Sequence, residues 1–254
     1  MLTLLKQEFL KSWKQNRIYI WLLIAFIIPI VMIKINPTPV ELLSFGGGSS
    51  VAYIGAIVMS ALIFTQEFSF GTIRPLLSRS YSRGAVFLSK VIYYIAAYLV
   101  MLLVSFIATM IGKLIFANDI PAATMKLVWP AMGTYVVSSI LDMLFVTALV
   151  LLVSNIVKSS GAAIGLGVLM MVGTSLLGAL SSYFVSLWEP LKWNPLQLEQ
   201  LINYYGRSGA DLKTLNMISQ QAFKTDMWVP LLVFVLYLLV IYVIAYLIFK
   251  RRSV

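Results

Sequence analysis

The chain has 254 residues, 61% of them hydrophobic and 11% charged, a formal net charge of +10, and neither cysteine nor histidine. A globular domain carries about 45–50% apolar and about 25% charged residues, so this composition indicates an all-α polytopic membrane protein. The apolar runs are continuous rather than alternating, which argues against a β-barrel, and the missing cysteine and histidine exclude disulfides, thiol nucleophiles, imidazole bases and most transition-metal sites.

Residues 1–17 open the chain. Leu2, Leu5, Phe9 and Trp13 recur at helical spacing, with Lys6, Lys11, Lys14 and Arg17 at other positions. This pattern predicts an amphipathic helix lying in the membrane interface. A signal-peptide reading is disfavoured, because no small-x-small cleavage site precedes Asn36. Span one covers residues 18–35 and contains Pro29, which frees a backbone carbonyl and kinks the helix. Pro37, Pro39 and Gly46-Gly47-Gly48 then form a short loop. No Gly-Lys-Ser/Thr follows those glycines, so they are not a phosphate loop. Span two, residues 51–66, is short for a core that needs roughly 20 residues. It either starts earlier, near Leu43, or continues past Glu67.

Residues 66–90 are polar and basic between two apolar runs. Arg74, Arg79, Arg83 and Lys90 stand against Glu67, yet Phe68, Phe70, Ile73, Leu76 and Leu77 remain apolar. A plain connector needs no such residues, so the segment is expected to dock on something. Span three covers residues 90–116, and residues 117–131 form a loop with Trp129 and Pro130. Span four covers residues 132–157, with a tight turn at 155–160. Span five covers 161–187, and span six 229–249. The polar segment 186–228 lies before span six. Asn194-Pro195 predicts a helix over residues 196–205, and Asp211 caps a second over 212–223.

Six spans place both termini on one side. Twelve basic residues fall on that side and seven on the other, so the positive-inside rule puts both termini in the cytoplasm. The same rule, with anionic lipid, accounts for the net charge without invoking nucleic acid.

Asp142 is the ionisable group that falls clearly inside a span. It is either held by Ser138, Ser139 or another helix, or it serves as a proton, cation or cargo contact in the translocation path. Gly161 and Gly165 are spaced for close helix packing, with Gly167, Gly173 and Gly178 following. Tyr93, Tyr94 and Tyr98 are read as packing or interface residues rather than a cargo wall. No catalytic constellation, metal site or ATP-binding motif is present. Gly112-Lys113 lacks both the upstream glycine and the following Ser/Thr.

Glu67, Gly71-Thr72, Leu76-Leu77, Ser82-Arg83 and Lys90 together resemble a signature of the permease subunits of type-2 ABC exporters. In that family it lies between the second and third spans. The amphipathic start is similar to the family's elbow helix, and residues 186–228 to its re-entrant outer helices. The resemblance covers nearly the whole chain. One departure is that Tyr81 stands where the family often has proline, with Pro75 earlier. The resemblance implies two permease chains, identical or paralogous, and two separate ATP-binding subunits that hold ATP and Mg. It implies no enzyme activity in this chain.

Under the resemblance, Gly71 to Leu77 form a coupling helix, with Ile73, Leu76 and Leu77 as apolar anchor. Arg74, Arg79 and Arg83 would pair with acids on the ATPase, and Glu67 and Arg83 would fix the ends. Short forms of the family imply a bacterial cell membrane and a cargo such as a hydrophobic or amphipathic peptide (a bacteriocin or toxin), a drug or a lipid. Two other readings stand beside it. One is a secondary transporter driven by an ion gradient through Asp142. The other is a non-transport scaffold or immunity protein.

Overall fold

A computed structural model describes residues 2–14, 16–69, 81–155, 157 and 159–251. Among the described residues there are ten α-helices: α1 (Leu2–Lys14), α2 (Arg17–Ile35), α3 (Pro39–Leu43), α4 (Gly48–Ser69), α5 (Arg83–Phe116), α6 (Ala122–Ser154), α7 (Ser160–Leu187), α8 (Pro195–Arg207), α9 (Leu212–Phe223) and α10 (Trp228–Arg251). A 3-10 turn at Glu189–Trp193 links α7 to α8. There is no strand among the described residues. Six stretches, carried by α2, α3 with α4, α5, α6, α7 and α10, are long and apolar enough to cross a membrane.

Several boundaries differ from the sequence expectation. The second span is short at neither end, since α4 begins at Gly48 and runs to Ser69. Gly48 is the first residue of α4, and the chain there passes tightly between α2 and α5: a Cβ on it would lie 2.5 Å from Ser105 and 2.8 Å from Pro29. The glycine turn before it is reached through three successive left-handed residues, Phe45, Gly46 and Gly47. A Cβ on Gly46 would lie 2.7 Å from the Pro29 Cα, so this position admits glycine on both counts. Leu42, Leu43 and Phe45 are buried, so the α3 segment folds into the bundle rather than looping over it. Trp129 and Pro130, expected in a loop, lie within α6. The carbonyl that Pro29 leaves open is that of Ala25, and the Ser105 hydroxyl donates to it at 3.1 Å. Span-to-span hydrogen bonding of this kind satisfies backbone groups where lipid offers no partner.

The third span starts seven residues before the expected one, at Arg83, because Ser82 caps it by accepting from the Ala85 amide at 3.2 Å. Lys90 is therefore not a loop residue. It is fully buried on α5, donating to Glu8 of α1 at 2.7 Å and to the Ile63 carbonyl at 3.3 Å, 5.9 Å from the Phe64 ring centre. Phe64, Phe87, Tyr246 and Phe249 pack edge to face around this end of the bundle. The inward face of α1 is thus Leu4 and Glu8, while Leu10 and Trp13 are exposed. An apolar stripe facing outward, with one acid facing in, suits a helix lying along lipid and clipped to the spans.

Two further contacts close the same end. Arg83 donates to the Lys250 carbonyl at the end of α10, and the Asn155 amide donates to the Ala245 carbonyl at 3.2 Å. In mid-bundle, the hydroxyls of Tyr94 and Tyr242 share a hydrogen bond, and Tyr242 also donates to the Leu144 carbonyl at 3.1 Å.

At the other end, α8 inserts among α6, α7 and α10 with Leu198 and Ile202 buried. Asn194 caps it as expected, accepting from the Leu196 and Gln197 amides at 3.0 Å each. The Asp211 cap of α9 holds equally well, accepting from the Thr214 amide at 3.0 Å.

Candidate functional site

Three helix faces meet beside α8. On α6, Tyr135, Ser138, Ser139 and Asp142 fall at spacings of three and four, so they share one face. On α8, Glu199, Asn203 and Arg207 recur every four residues, on a face flanked by the buried Leu198 and Ile202. On α4, Ser49 and Tyr53 do the same. Together with Tyr98 of α5 and a wall from α7, these residues line a cavity of about 730 Å³. Gly206 permits the close approach of α8 to α6, since a Cβ there would lie 1.8 Å from the Ser138 hydroxyl and 3.4 Å from the Tyr135 Cα.

Asp142 is held from another helix: the Tyr53 hydroxyl donates to its Oδ1 at 3.2 Å. Ser138 and Ser139 do not hold it. Their hydroxyls donate back to the Tyr135 and Val136 carbonyls of their own helix at 3.0 and 2.9 Å. They line the cavity without contacting the acid. A second carboxyl, Glu199, lies within hydrogen-bonding reach of Asp142. The Asn203 amide donates to Glu199 Oε1 at 2.5 Å, while Oε2 is buried with no hydrogen-bond partner. Burial first, and then the neighbouring Asp142 carboxylate, push the Glu199 carboxyl well above the usual range; Asn203 and Arg207 pull against that. Two buried acids within hydrogen-bonding reach of each other titrate as a pair rather than independently. At the top of the site, Ser49 and Tyr135 share a hydrogen bond of 2.5 Å, and Tyr98 donates to the Ser139 carbonyl at 3.2 Å.

The sequence expectation placed Glu199 and Arg207 in the outer, re-entrant-like segment 186–228 and gave them no role. The structure brings them to Asp142. The available signal was the four-residue recurrence of Glu199, Asn203 and Arg207, which runs past the helix expected over 196–205 to the end of α8 at Arg207. Tyr98, expected to be packing, is both buried and on the cavity wall. Gly161 and Gly165 were expected to pack helices together. Within this chain a Cβ on Gly165 would meet nothing within 4 Å, and one on Gly161 only the Ser159 hydroxyl at 3.9 Å. The close approaches on α7 are made by Gly167 against Ile57 and Val150, and by Gly178 against Gln200.

Of the expected coupling residues, Gly71, Thr72, Ile73, Arg74, Leu76, Leu77 and Arg79 lie outside the described residues. Glu67 falls in the last turn of α4, and Arg83 opens α5. Among the described residues there is no group of three or more acidic, histidine or cysteine side chains that could hold a metal ion.

Residues 40–254 match the model of a family described as "Protein of unknown function (DUF2705)". The chain belongs to the DUF2705 family. The match covers every element that lines the cavity, from α4 to α8, so the acid pair lies within the part of the chain that the family defines. No curated protein matches the chain.

Proposed function

We propose that this chain is the membrane-spanning permease subunit of an ATP-driven exporter of the ABC type-2 kind. The observation that carries the reading is the cavity. It is roomy, and it is lined by polar groups from an inserted short helix and from four of the six helices able to cross a membrane. A cavity of a few hundred Å³ with convergent polar groups fits the passage or binding of a small molecule or peptide segment. The resemblance of Glu67 to Lys90 to the exporter signature supplies the source of energy, namely separate ATP-binding subunits that carry ATP and Mg. The clip from α1 onto Lys90 and the contact of Arg83 with the end of α10 tie the start of α5 to its surroundings. Movement imposed on residues 70–80 by a partner would be passed directly into a long span. In this reading the termini are cytoplasmic in a bacterial cell membrane, a second permease chain completes the path, and no covalent chemistry occurs in this chain.

Copurification tests it. The native chain should bring down an ATP-binding subunit, and replacing Leu76 and Leu77 by aspartate should release it. An ATPase that stays bound and coupled after that change would overturn the docking role of this segment.

The acid pair favours a second reading, a transporter driven by an ion gradient through Asp142. Vesicles that accumulate cargo on an imposed pH gradient, with no ATPase present, would decide for it.

A further inference from the structure

The cavity is more specific than a polar void. Glu199 lines the cavity and is only 6% exposed; its Oε2 is buried, with no donor but a proton shared with Asp142. Asp142, which Tyr53 contacts through Oδ1, stands beside it. An ionised carboxylate with an open acceptor in such surroundings is costly, so it holds either a proton or another cation.

The charged and titratable groups of the lining can be taken helix by helix. Tyr53 comes from α4, Tyr98 from α5, Tyr135 and Asp142 from α6, and Glu199, Tyr204 and Arg207 from α8. The α7 wall brings no titratable group; it offers the apolar side chains of Met171, Val172 and Leu176 beside the hydroxyls of Thr174 and Ser175. With its shared proton the acid pair balances Arg207, and once that proton leaves the site carries one net negative charge, which favours a cation over an anion. A hard divalent ion takes six to eight oxygen ligands, and no third acid is available for it among the described residues. Acids, phenol rings and an apolar wall in one cavity are the recognition chemistry of a lipophilic organic cation.

The geometry points to an organic cation as the cavity's ligand, its charge between the Asp142 and Glu199 carboxylates and its apolar body on Met171, Val172 and Leu176. This assignment names a cargo class for the permease and rests on that reading for its physiological meaning. Entry of the cation displaces the proton held by the pair: one positive charge enters and one leaves. Because Glu199 is held above the usual carboxylate range, more protons must be displaced at low pH, and binding tightens as pH rises.

The test uses the full chain in nanodiscs, without any ATPase, and tritiated tetraphenylphosphonium as probe, with neutral triphenylphosphine oxide as its counterpart. The proposal expects saturable binding of the cation alone, about tenfold tighter at pH 8 than at pH 6. Asp142→Asn should weaken it about tenfold or more. Glu199→Gln should abolish the pH dependence, and Lys213→Ala, on the exposed face of α9, should change nothing. Equal retention of the neutral compound, displacement of the probe by sodium ions, or unchanged affinity in both acid variants would overturn it. If the variants do not fold, the wild-type comparison of charged and neutral probes at two pH values still decides. An ATPase that copurifies without cation binding sinks this assignment and leaves the permease reading standing. Cation binding with no ATPase partner does the reverse.

Discussion

Lys90 shows how much one residue's placement changes. A lysine ammonium with no exposure is held in the bundle by Glu8 at 2.7 Å and by the Ile63 carbonyl, which takes a second hydrogen. Removing one partner of a buried pair leaves an uncompensated charge, typically a loss of about 3–5 kcal/mol, whereas replacing both with apolar residues is often neutral. Glu8→Gln should therefore lower the thermal unfolding temperature in detergent markedly, and Glu8→Leu with Lys90→Met should recover much of the loss. Equal temperatures for wild type and Glu8→Gln would show that the pair does not clip α1 in place.

Glu199 gives the complementary case. Its folded carboxyl titrates above the unfolded one, so its contribution to stability is complete below the ordinary glutamate range and is lost as pH rises through the raised value. Melting curves of the wild type should fall on going from acid through neutral to mildly alkaline pH. Glu199→Gln should flatten that descent.

At the scale of elements, α8 decides whether the site exists. Its position depends on the Asn194 cap at its start and on Gly206 near its end. Asn194→Ala removes the acceptor for two amides and the donor that reaches the Ser181 hydroxyl at 2.7 Å, and should cost about 1 kcal/mol from the cap alone. Gly206→Ala sets a methyl against the Ser138 hydroxyl, an overpacking of about 1–3 kcal/mol. It should be partly relieved by Ser138→Ala. Hydrogen exchange in α8 reads both: amides of residues 196–206 should exchange faster in each single variant. If Gly206→Ala leaves them as slow as in the wild type, α8 is not seated against α6 through this glycine. Helix contacts here cannot draw on exclusion of water, because lipid is as apolar as leucine. Small residues and cross-helix hydrogen bonds therefore carry the packing, as Gly48, Gly167 and Gly206 do.

For the whole molecule, the orientation in the membrane has a direct assay, since the native chain contains no cysteine. Lys6→Cys on α1 and Lys213→Cys on α9 both replace exposed residues at opposite ends of the bundle. In intact cells a membrane-impermeant maleimide should label Lys213→Cys at once and Lys6→Cys only after permeabilisation. The reverse pattern would invert the proposed topology. Taking Lys90 out of the loop charges does not alter this expectation, because the remaining basic excess stays at the end that carries the termini.

Six spans, the amphipathic start and the caps of α8 and α9 were legible in the amino-acid order. They depend on local quantities: continuous apolar length, a 3.6-residue period, and an Asn or Asp placed just before a helix. Span ends were less legible, because the Ser82 cap and the tight passage at Gly48 depend on neighbours that composition does not announce. The pairing of Asp142 with Glu199, 57 positions apart in the chain, and of Lys90 with Glu8 could not be read this way. A charge beside an apolar run looks the same whether it meets water, lipid headgroups or an opposite charge. Only the packing of α8 into the bundle, and of α1 across α5, decides which of these surrounds it.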